Sequence, residues 1–477
     1  MDKTRSNRPT RYQQANKYQQ ANRRQQGLAV LLTVVALPFL LIMAGLAIDS
    51  GRAYSMQAKL FAAVDAAGIA AARAISSGAS QTIREANAMA AAQKYFDVNI
   101  SQALQSSNPS LSTPTFTYDN EGNISISLNA SADMPTSFIR LLGFDNWPIG
   151  VEAQTIRRPV DISLVIDNSG SLSDVFDVVQ QRSKDFLSNF NPEFDRVAVT
   201  QYGYGANAVV PFNTVQRNYN SSDVEQKIDA MTYSTSGSNH YTNTAEGFYQ
   251  GYAEFDSNDS LSANLKVIVI FTDGAPNTFT SNFVVDNNNT YLAAISTTGS
   301  EARGLWAPDK MRERMSYVLQ NGTTMSSNND SDGDDIYKYV SISNTDSYQG
   351  FSLLGGPRAG NTTYTYSGDS DDKGDFKDVM RHISRDLPEK MAYQAREDGV
   401  YVFTLGLGDA LLDDMGHGTG EDMLYRMAND PSMQGRAATA DEFQVDQKQG
   451  LYCFAQNEND LGPCFDKMLD VIIRLTL

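Results

Sequence analysis

The chain has 477 residues, enough for two or three domains with cores of their own. Its formal charge of −18 is unevenly spread: the first 27 residues carry seven Lys or Arg against one Asp, a net of +6, which leaves −24 for the rest. Because phosphate binding needs a basic footprint, this balance excludes nucleic acid as a partner of the folded part.

Residues 1–26 are polar and basic, repeat Tyr-Gln-Gln-Ala-Asn and lack apolar periodicity, which predicts a disordered leader. Gly27 to Ile48 then contains no charged residue, close to the ~20 residues that a bilayer-spanning helix needs. Arg5, Arg8, Arg11, Lys17, Arg23 and Arg24 keep the leader cytoplasmic under the positive-inside rule, so everything after Asp49 lies across the membrane. A cleaved signal peptide is the competing reading, since Gly45-Leu46-Ala47 offers small residues. The apolar run is longer than the roughly 7–15 residues of a signal core, which favours a retained anchor.

Past the span, nearly every residue from Ser55 to Ile75 is a good helix former, and Leu60, Phe61, Val64, Ala67 and Ala71 make a helical stripe. The membrane helix therefore continues outward; fifty residues would give a rod of roughly 75 Å, less any bend at Pro38. Glu85 to Phe96 is a second helix. The stretch from Gly27 to Ile75 resembles the membrane-proximal segment of TadE/TadG-like proteins of Flp-type (Tad) pilus assembly. The residues that carry the likeness are Arg23-Arg24-Gln25-Gln26-Gly27, Leu37-Pro38, Gly45-Leu46-Ala47-Ile48-Asp49-Ser50-Gly51-Arg52 and Leu60-Phe61-Ala62-Ala63-Val64-Asp65-Ala66-Ala67. Members cut by prepilin peptidase carry Glu at the fifth position after the cleavage glycine, where this chain has Leu32. That departure disfavours processing into a fibre and favours the TadG-like type that keeps its anchor. The resemblance implies a bacterial cytoplasmic (inner) membrane protein, single-pass, with a cytoplasmic N-terminus and a periplasmic or extracytoplasmic bulk.

From Thr113 to Arg158 the pattern changes to period two: Thr115 to Tyr118, a turn over Asp119 to Asn123, then Ile124 to Leu128, a hairpin signature. A short helix near Ser137 to Leu142 and a strand near Val151 to Ala153 complete a small α+β, pilin-like module spanning residues 49–158.

The last domain, residues 159–477, opens on Ile162, Leu164, Val165 and Ile166, the apolar run of a central parallel strand covered on both faces. It ends in Asp167, Ser169 and Ser171 at spacing two, a carboxylate and hydroxyls suited to Mg²⁺, Mn²⁺ or Ca²⁺ rather than zinc. Leu265 to Phe271 is a second such run, ending in Thr272-Asp273-Gly274. Between them Tyr241-Thr242-Asn243-Thr244-Ala245-Glu246-Gly247 opens a helix. The three segments resemble the metal-ion-dependent adhesion site (MIDAS) of von Willebrand factor A (VWA) domains in order, spacing and strand context. That resemblance assigns Asp167, Ser169 and Ser171 to the first loop, Thr242 to the second, with Thr244 competing, and Asp273 to the third. It also implies a carboxylate from a protein partner on the ion, often coupled to movement of the closing helix. The strand Val197–Gln201 with a hairpin partner at Ala208–Phe212, helices near Val224–Met231 and Ala245–Phe255, the strand Tyr401–Leu407 and a closing helix from Pro463 imply an α/β, doubly wound parallel-sheet (Rossmann-like) fold.

Between Asp273 and a helix starting near Phe376 lies an insertion, residues 281–375, dense in Asn, Ser, Thr, Asp, Gly and Tyr, with one predicted helix from Asp309 to Gln320. Because it leaves from the third loop, it should lie over or beside the ion. The runs Asp330–Asp335 and Asp369–Asp375 mimic the start of a calcium loop but lack the glycine and glutamate that an EF-hand needs. Cys453 and Cys464 are the only cysteines, and an export route favours a disulfide between them. No nucleophile with an adjacent base and no phosphate-cradling loop is present, so the sequence gives little support to an enzyme. The expected function is a membrane-anchored Tad pilus assembly or adhesion component that binds a protein through a divalent cation. The alternative is a membrane-tethered scaffold or chaperone-like partner of another envelope complex; a Mg²⁺ phosphohydrolase is the remaining class.

Overall fold

Helix α1 runs from Arg11 to Ala74 and continues through Pro38. The computed structural model describes residues 11–476 except 77, 79, 120, 234–240, 256–258, 264, 299–300, 326–335, 344, 355–364, 369–372 and 415–417. A structureless leader is thus corrected over residues 11–26, where Gln, Ala, Arg and Lys favour helix without any apolar stripe. The stretch Val30–Ala74 is long and apolar enough to cross a membrane. Its large apolar side chains from Val30 to Met43 are exposed, whereas Leu60, Ala63, Val64, Ala67 and Ala71 are fully buried. One helix therefore has two solvents, an outward-facing apolar half and a half packed against protein.

The chain forms two compact units. The first holds α1 to Ala74 with residues 85–117 and 125–155; the second holds residues 75–84, 118–124 and 156–477. In the first, α2 (Gln81–Asn99) precedes a four-stranded sheet of β1 (Ser110–Leu111), β2 (Thr115–Tyr118), β3 (Ile124–Pro135) and β4 (Asn146–Arg157), in which β3 pairs with the other three. β3 alternates as a half-buried strand should, with Ile126, Leu128, Ala130, Ala132 and Met134 turned inward. Gly68 lets α1 lie close on this sheet, since a Cβ there would come 2.4 Å from Thr155 Oγ1.

A 3₁₀ turn, Ile139–Leu142, joins β3 to β4 and is held by the residues where α1 leaves its apolar run. The Asp49 carboxylate, fully buried, accepts the backbone N–H groups of Ser137 at 3.0 Å, Phe138 at 2.8 Å and Ile139 at 2.9 Å. Arg52 lies 3.6 Å from Asp49 and donates to the Ser137 hydroxyl. The three amide donors and Arg52 together satisfy the buried carboxylate. One turn earlier, a Cβ on Gly45 would sit 2.5 Å from Phe138 Cβ, so only glycine admits this approach without a shift.

The second unit is built on a six-stranded sheet in the order β13-β12-β8-β5-β6-β7. These are β5 (Val160–Asp167), β6 (Arg196–Tyr202), β7 (Ala206–Val210), β8 (Leu265–Thr272), β12 (Val400–Leu407) and β13 (Tyr452–Ala455). All pairs are parallel except β6 with β7. The helices α3 (Phe176–Leu187), α4 (Ser221–Asp229) and α8 (Leu461–Thr476) contribute to the core on one face, with Ile162, Leu164 and Ile166 of β5. The opposite face takes α5 (Thr244–Ala253), α6 (Lys373–Glu397) and α7 (Gly420–Ala428), with Val165. Gly247 and Gly251 bring α5 onto the sheet; a Cβ at either would come within 2.5 Å of Tyr202 or Val165. A disulfide joins Cys453 in β13 to Cys464 in the first turns of α8.

The insertion is ordered where it is described and begins earlier than residue 281. β9 (Thr278–Val285), β10 (Asn289–Thr298) and β11 (Glu301–Trp306) form an antiparallel meander whose Phe279, Phe283, Val285, Ile295 and Leu305 join the same core as α5 and α6. The expected helix Asp309–Gln320 is absent. Its backbone groups are engaged elsewhere: Pro308 and Met311 carbonyls accept from Ala206 and Tyr204, Met315 N–H donates to Leu305, and Tyr317–Val318 pairs with Thr324–Met325. Those tertiary bonds replace the i to i−4 ladder that the side-chain spacing suggested. The acidic runs at 330–335 and 369–372 lie outside the described residues.

Replacing Asp49 by Ala should free the 3₁₀ turn while sparing the second unit. In hydrogen exchange on the detergent-solubilised full chain, the amides of Ser137, Phe138 and Ile139 should exchange about tenfold faster or more, with β5 and β8 unchanged. Unaltered protection at those three amides would contradict the docking role of Asp49.

Candidate metal centre

The parallel register sets the site. Ile166 of β5 pairs with Phe271 of β8, so both strands end side by side and release Asp167 and Asp273 at the carboxyl edge of the sheet, where open α/β sheets bind ligands. Asp167 is fully buried, accepting the Ser169 N–H at 2.8 Å on one oxygen and the Thr272 hydroxyl at 2.7 Å on the other. Ser171 Oγ donates to Asp273 Oδ1 at 2.8 Å; Ser169 Oγ lies 3.1 Å from Ser171 Oγ and 3.5 Å from Asp273 Oδ1. Ser171 is exposed, so the cluster has a buried floor and an open side.

The second loop enters through its backbone. Thr242 N–H donates to Asn277 Oδ1 at 3.0 Å, and Asn277 N–H donates back to Thr242 O at 3.2 Å. A Cβ on Gly274 would stand 3.9 Å from Thr242 Oγ1, which puts that hydroxyl beside the third loop. Thr244 instead opens α5, fully buried; Asn243 caps the helix, accepting from Glu246 N–H at 3.2 Å. Of the two threonines, Thr242 is therefore the one whose hydroxyl lies beside Gly274 of the third loop.

Two residues not singled out as site residues in the sequence complete the frame. Thr272 clamps Asp167, and Asn277 latches the second loop to the third, its own carbonyl accepting from Thr297 of β10. Thr272 directly precedes Asp273, which is the one local hint; Asn277 gives none. The insertion reaches the neighbourhood of the first loop. Its Pro308–Met311 segment packs on the β6–β7 turn, where a Cβ on Gly203 would come 3.1 Å from Asn168 Oδ1 and 3.3 Å from Met311 Cε.

Burial raises the pKa of Asp167, and the neighbouring negative charge of Asp273 raises it further; burial likewise raises Asp273. The groups that oppose these shifts include the neutral donors Thr272, Ser169 and Ser171. Two carboxylates and three hydroxyls form a hard-oxygen donor set whose unrelieved negative charge fits a divalent cation such as Mg²⁺. Among the described residues no group of three or more His, Cys, Asp or Glu could hold a metal, so the hydroxyls are indispensable to any such site.

Strand order, helices on both faces and acidic and hydroxyl loops at the carboxyl edge define a von Willebrand factor type A domain, and residues 161–300 match the family model of that description. Residues 27–74 match the Flp pilus-assembly TadE/G-like model. The chain thus carries a TadE/G-like region followed by a VWA domain, the TadG-like arrangement. A comparison with curated proteins found no match. Similar solved structures include the pilus adhesin SpaC from Lactobacillus rhamnosus GG, at 16% identity and TM-score 0.36, covering 77% of this chain and 35% of that one. The PilB minor pilin from Streptococcus sanguinis has 15% identity and TM-score 0.34, covering 79% and 81%. The vWF domain of the type V pili tip protein Mfa5 from Porphyromonas gingivalis has 15% identity and TM-score 0.35, covering 68% and 98%. The chain spans about a third of the length of SpaC.

A carboxyl whose pKa is higher folded than unfolded binds its proton more tightly when folded. The pair therefore costs stability as pH rises from the ordinary carboxylate range towards neutrality, and the cost is complete above the folded pKa. In chelating buffer, moving from about pH 5 to about pH 8 should lower the melting temperature of the wild type relative to Asp273→Asn by about 3 °C or more. Parallel pH profiles would refute mutual repulsion at the site.

Proposed function

We propose that this protein is a membrane-anchored component of Tad-type pilus assembly or adhesion whose VWA domain binds a protein partner in a cation-dependent way. The observation that supports it most is the joining of Asp167, Ser169, Ser171 and Asp273 by hydrogen bonds at the open carboxyl edge of the sheet, with Thr242 adjoining. These five residues would hold the cation, with Asp167 and Asp273 acting directly or through water. When bound, Mg²⁺, or Mn²⁺ or Ca²⁺ in its place, supplies a Lewis-acidic position that a carboxylate of the partner can fill. The buried Thr272 bond and the half-buried Asn277 bond keep the donors in place, so little ordering remains to be done on binding.

The role is recognition rather than catalysis. We read α1 as a single-pass anchor in the bacterial cytoplasmic membrane, with the basic leader inside and the VWA domain outside. The partner is another pilus or envelope protein, and the Tad-like region favours this over a scaffold unrelated to pili.

Asp167→Ala and the surface change Ser171→Ala should each lower Mg²⁺ affinity in calorimetry, by about tenfold or more for the aspartate, while far-ultraviolet circular dichroism stays as in the wild type. Unchanged affinity in both variants would reject the site. Cross-linking in cells with and without chelator, against the Asp167→Ala chain, reads partner capture, and deletion that leaves piliation intact would favour the scaffold reading.

A further inference from the structure

We propose that the loop from Thr136 to Asp145 is a second membrane contact, inserted into the lipid interface beside the point where α1 leaves the bilayer. The inference rests on reading α1 as a membrane anchor. Phe138, Leu141, Leu142 and Phe144 are 44%, 84%, 52% and 63% exposed, four large apolar side chains within seven residues. The loop is not loose. Thr136 N–H donates to Asp145 O at 3.0 Å and its hydroxyl reaches the Phe144 and Asp145 carbonyls, closing the base. Gly143, at φ +93°, ends the 3₁₀ turn in a left-handed conformation that favours glycine. An ordered loop that displays apolar side chains outward needs a cover.

What covers it follows from where it is fixed. Asp49, the first charged residue after the apolar run, holds the amides of Ser137, Phe138 and Ile139. Phe138 packs on Gly45, which lies about 4–5 Å inside the end of that run. The patch is therefore continuous with the exposed apolar surface of α1 and stands at the depth of the last turn in lipid. The polar residues suit the same place: Arg140 is exposed and long enough to reach phosphate headgroups, and Trp147, partly exposed, is of the type that gathers at membrane interfaces. The Asp49 carboxylate, costly so near hydrocarbon, is shielded by the three amides it binds.

Single cysteines at Leu141, at Leu37 in the span and at Glu152 on the exposed side of β4 provide the test; the native cysteines are joined in a disulfide and stay unlabelled. Each full-length variant is labelled with an environment-sensitive nitrobenzoxadiazole dye and placed in phosphatidylcholine and phosphatidylglycerol nanodiscs, with or without bromine on the acyl chains. The labels at 37 and 141 should lose most of their emission in brominated lipid and resist aqueous iodide, and the label at 152 should do the reverse. Quenching at 37 with iodide-accessible emission at 141 would overturn the loop proposal alone. Shielding from both quenchers at 141 would replace lipid with a protein cover and overturn it too. An unquenched label at 37 would overturn the anchor reading and the loop contact with it.

Discussion

The parallel pairing of β5 with β8 is the constraint on which the second unit depends. Its register brings two chain segments a hundred residues apart to a common end, so that Asp167 and Asp273 leave the sheet as neighbours. Apolar burial on both faces stabilises that register, and the two carboxylates are carried into a buried edge that penalises their charge. Hydrogen bonds from Thr272, Ser169 and Ser171 offset part of the penalty. The remainder is the negative charge that the proposed cation would neutralise.

How much of this was legible in the sequence follows from the length scale of each signal. β5 and β8 were readable because a short, mostly apolar run rich in β-branched residues is a local property, and the first loop because three donors fall within five residues. Thr272 and Asn277 were not, because the bonds they make cross from one segment to another. The meander β9 to β11 was hidden for a different reason: Thr278, Thr280, Ser281 and Ser296 are buried although polar, which blurs the alternation that would reveal a strand. The segment 309–320 misled in the opposite sense, having helical spacing but spending its backbone on the β6–β7 turn and β11.

The TadE/G-like residues acquire a physical meaning in the first unit. Gly45 admits the Phe138 side chain of a neighbouring loop, Asp49 binds the loop's amides and Arg52 holds the serine at its start. A motif that reads as the flank of a membrane helix is also the joint by which that helix carries a folded module.

The bridge between Cys453 and Cys464 restricts what the last helix can do. Its α-carbons stand 5.6 Å apart, within the roughly 4.4–6.8 Å that such a bond tolerates. Sliding α8 along the sheet by one turn, about 5.4 Å, would overstretch the link. In the oxidised protein the first turn of α8 is therefore pinned to β13, so any displacement open to that helix is a swing about the pinned turn, and reduction would free the slide.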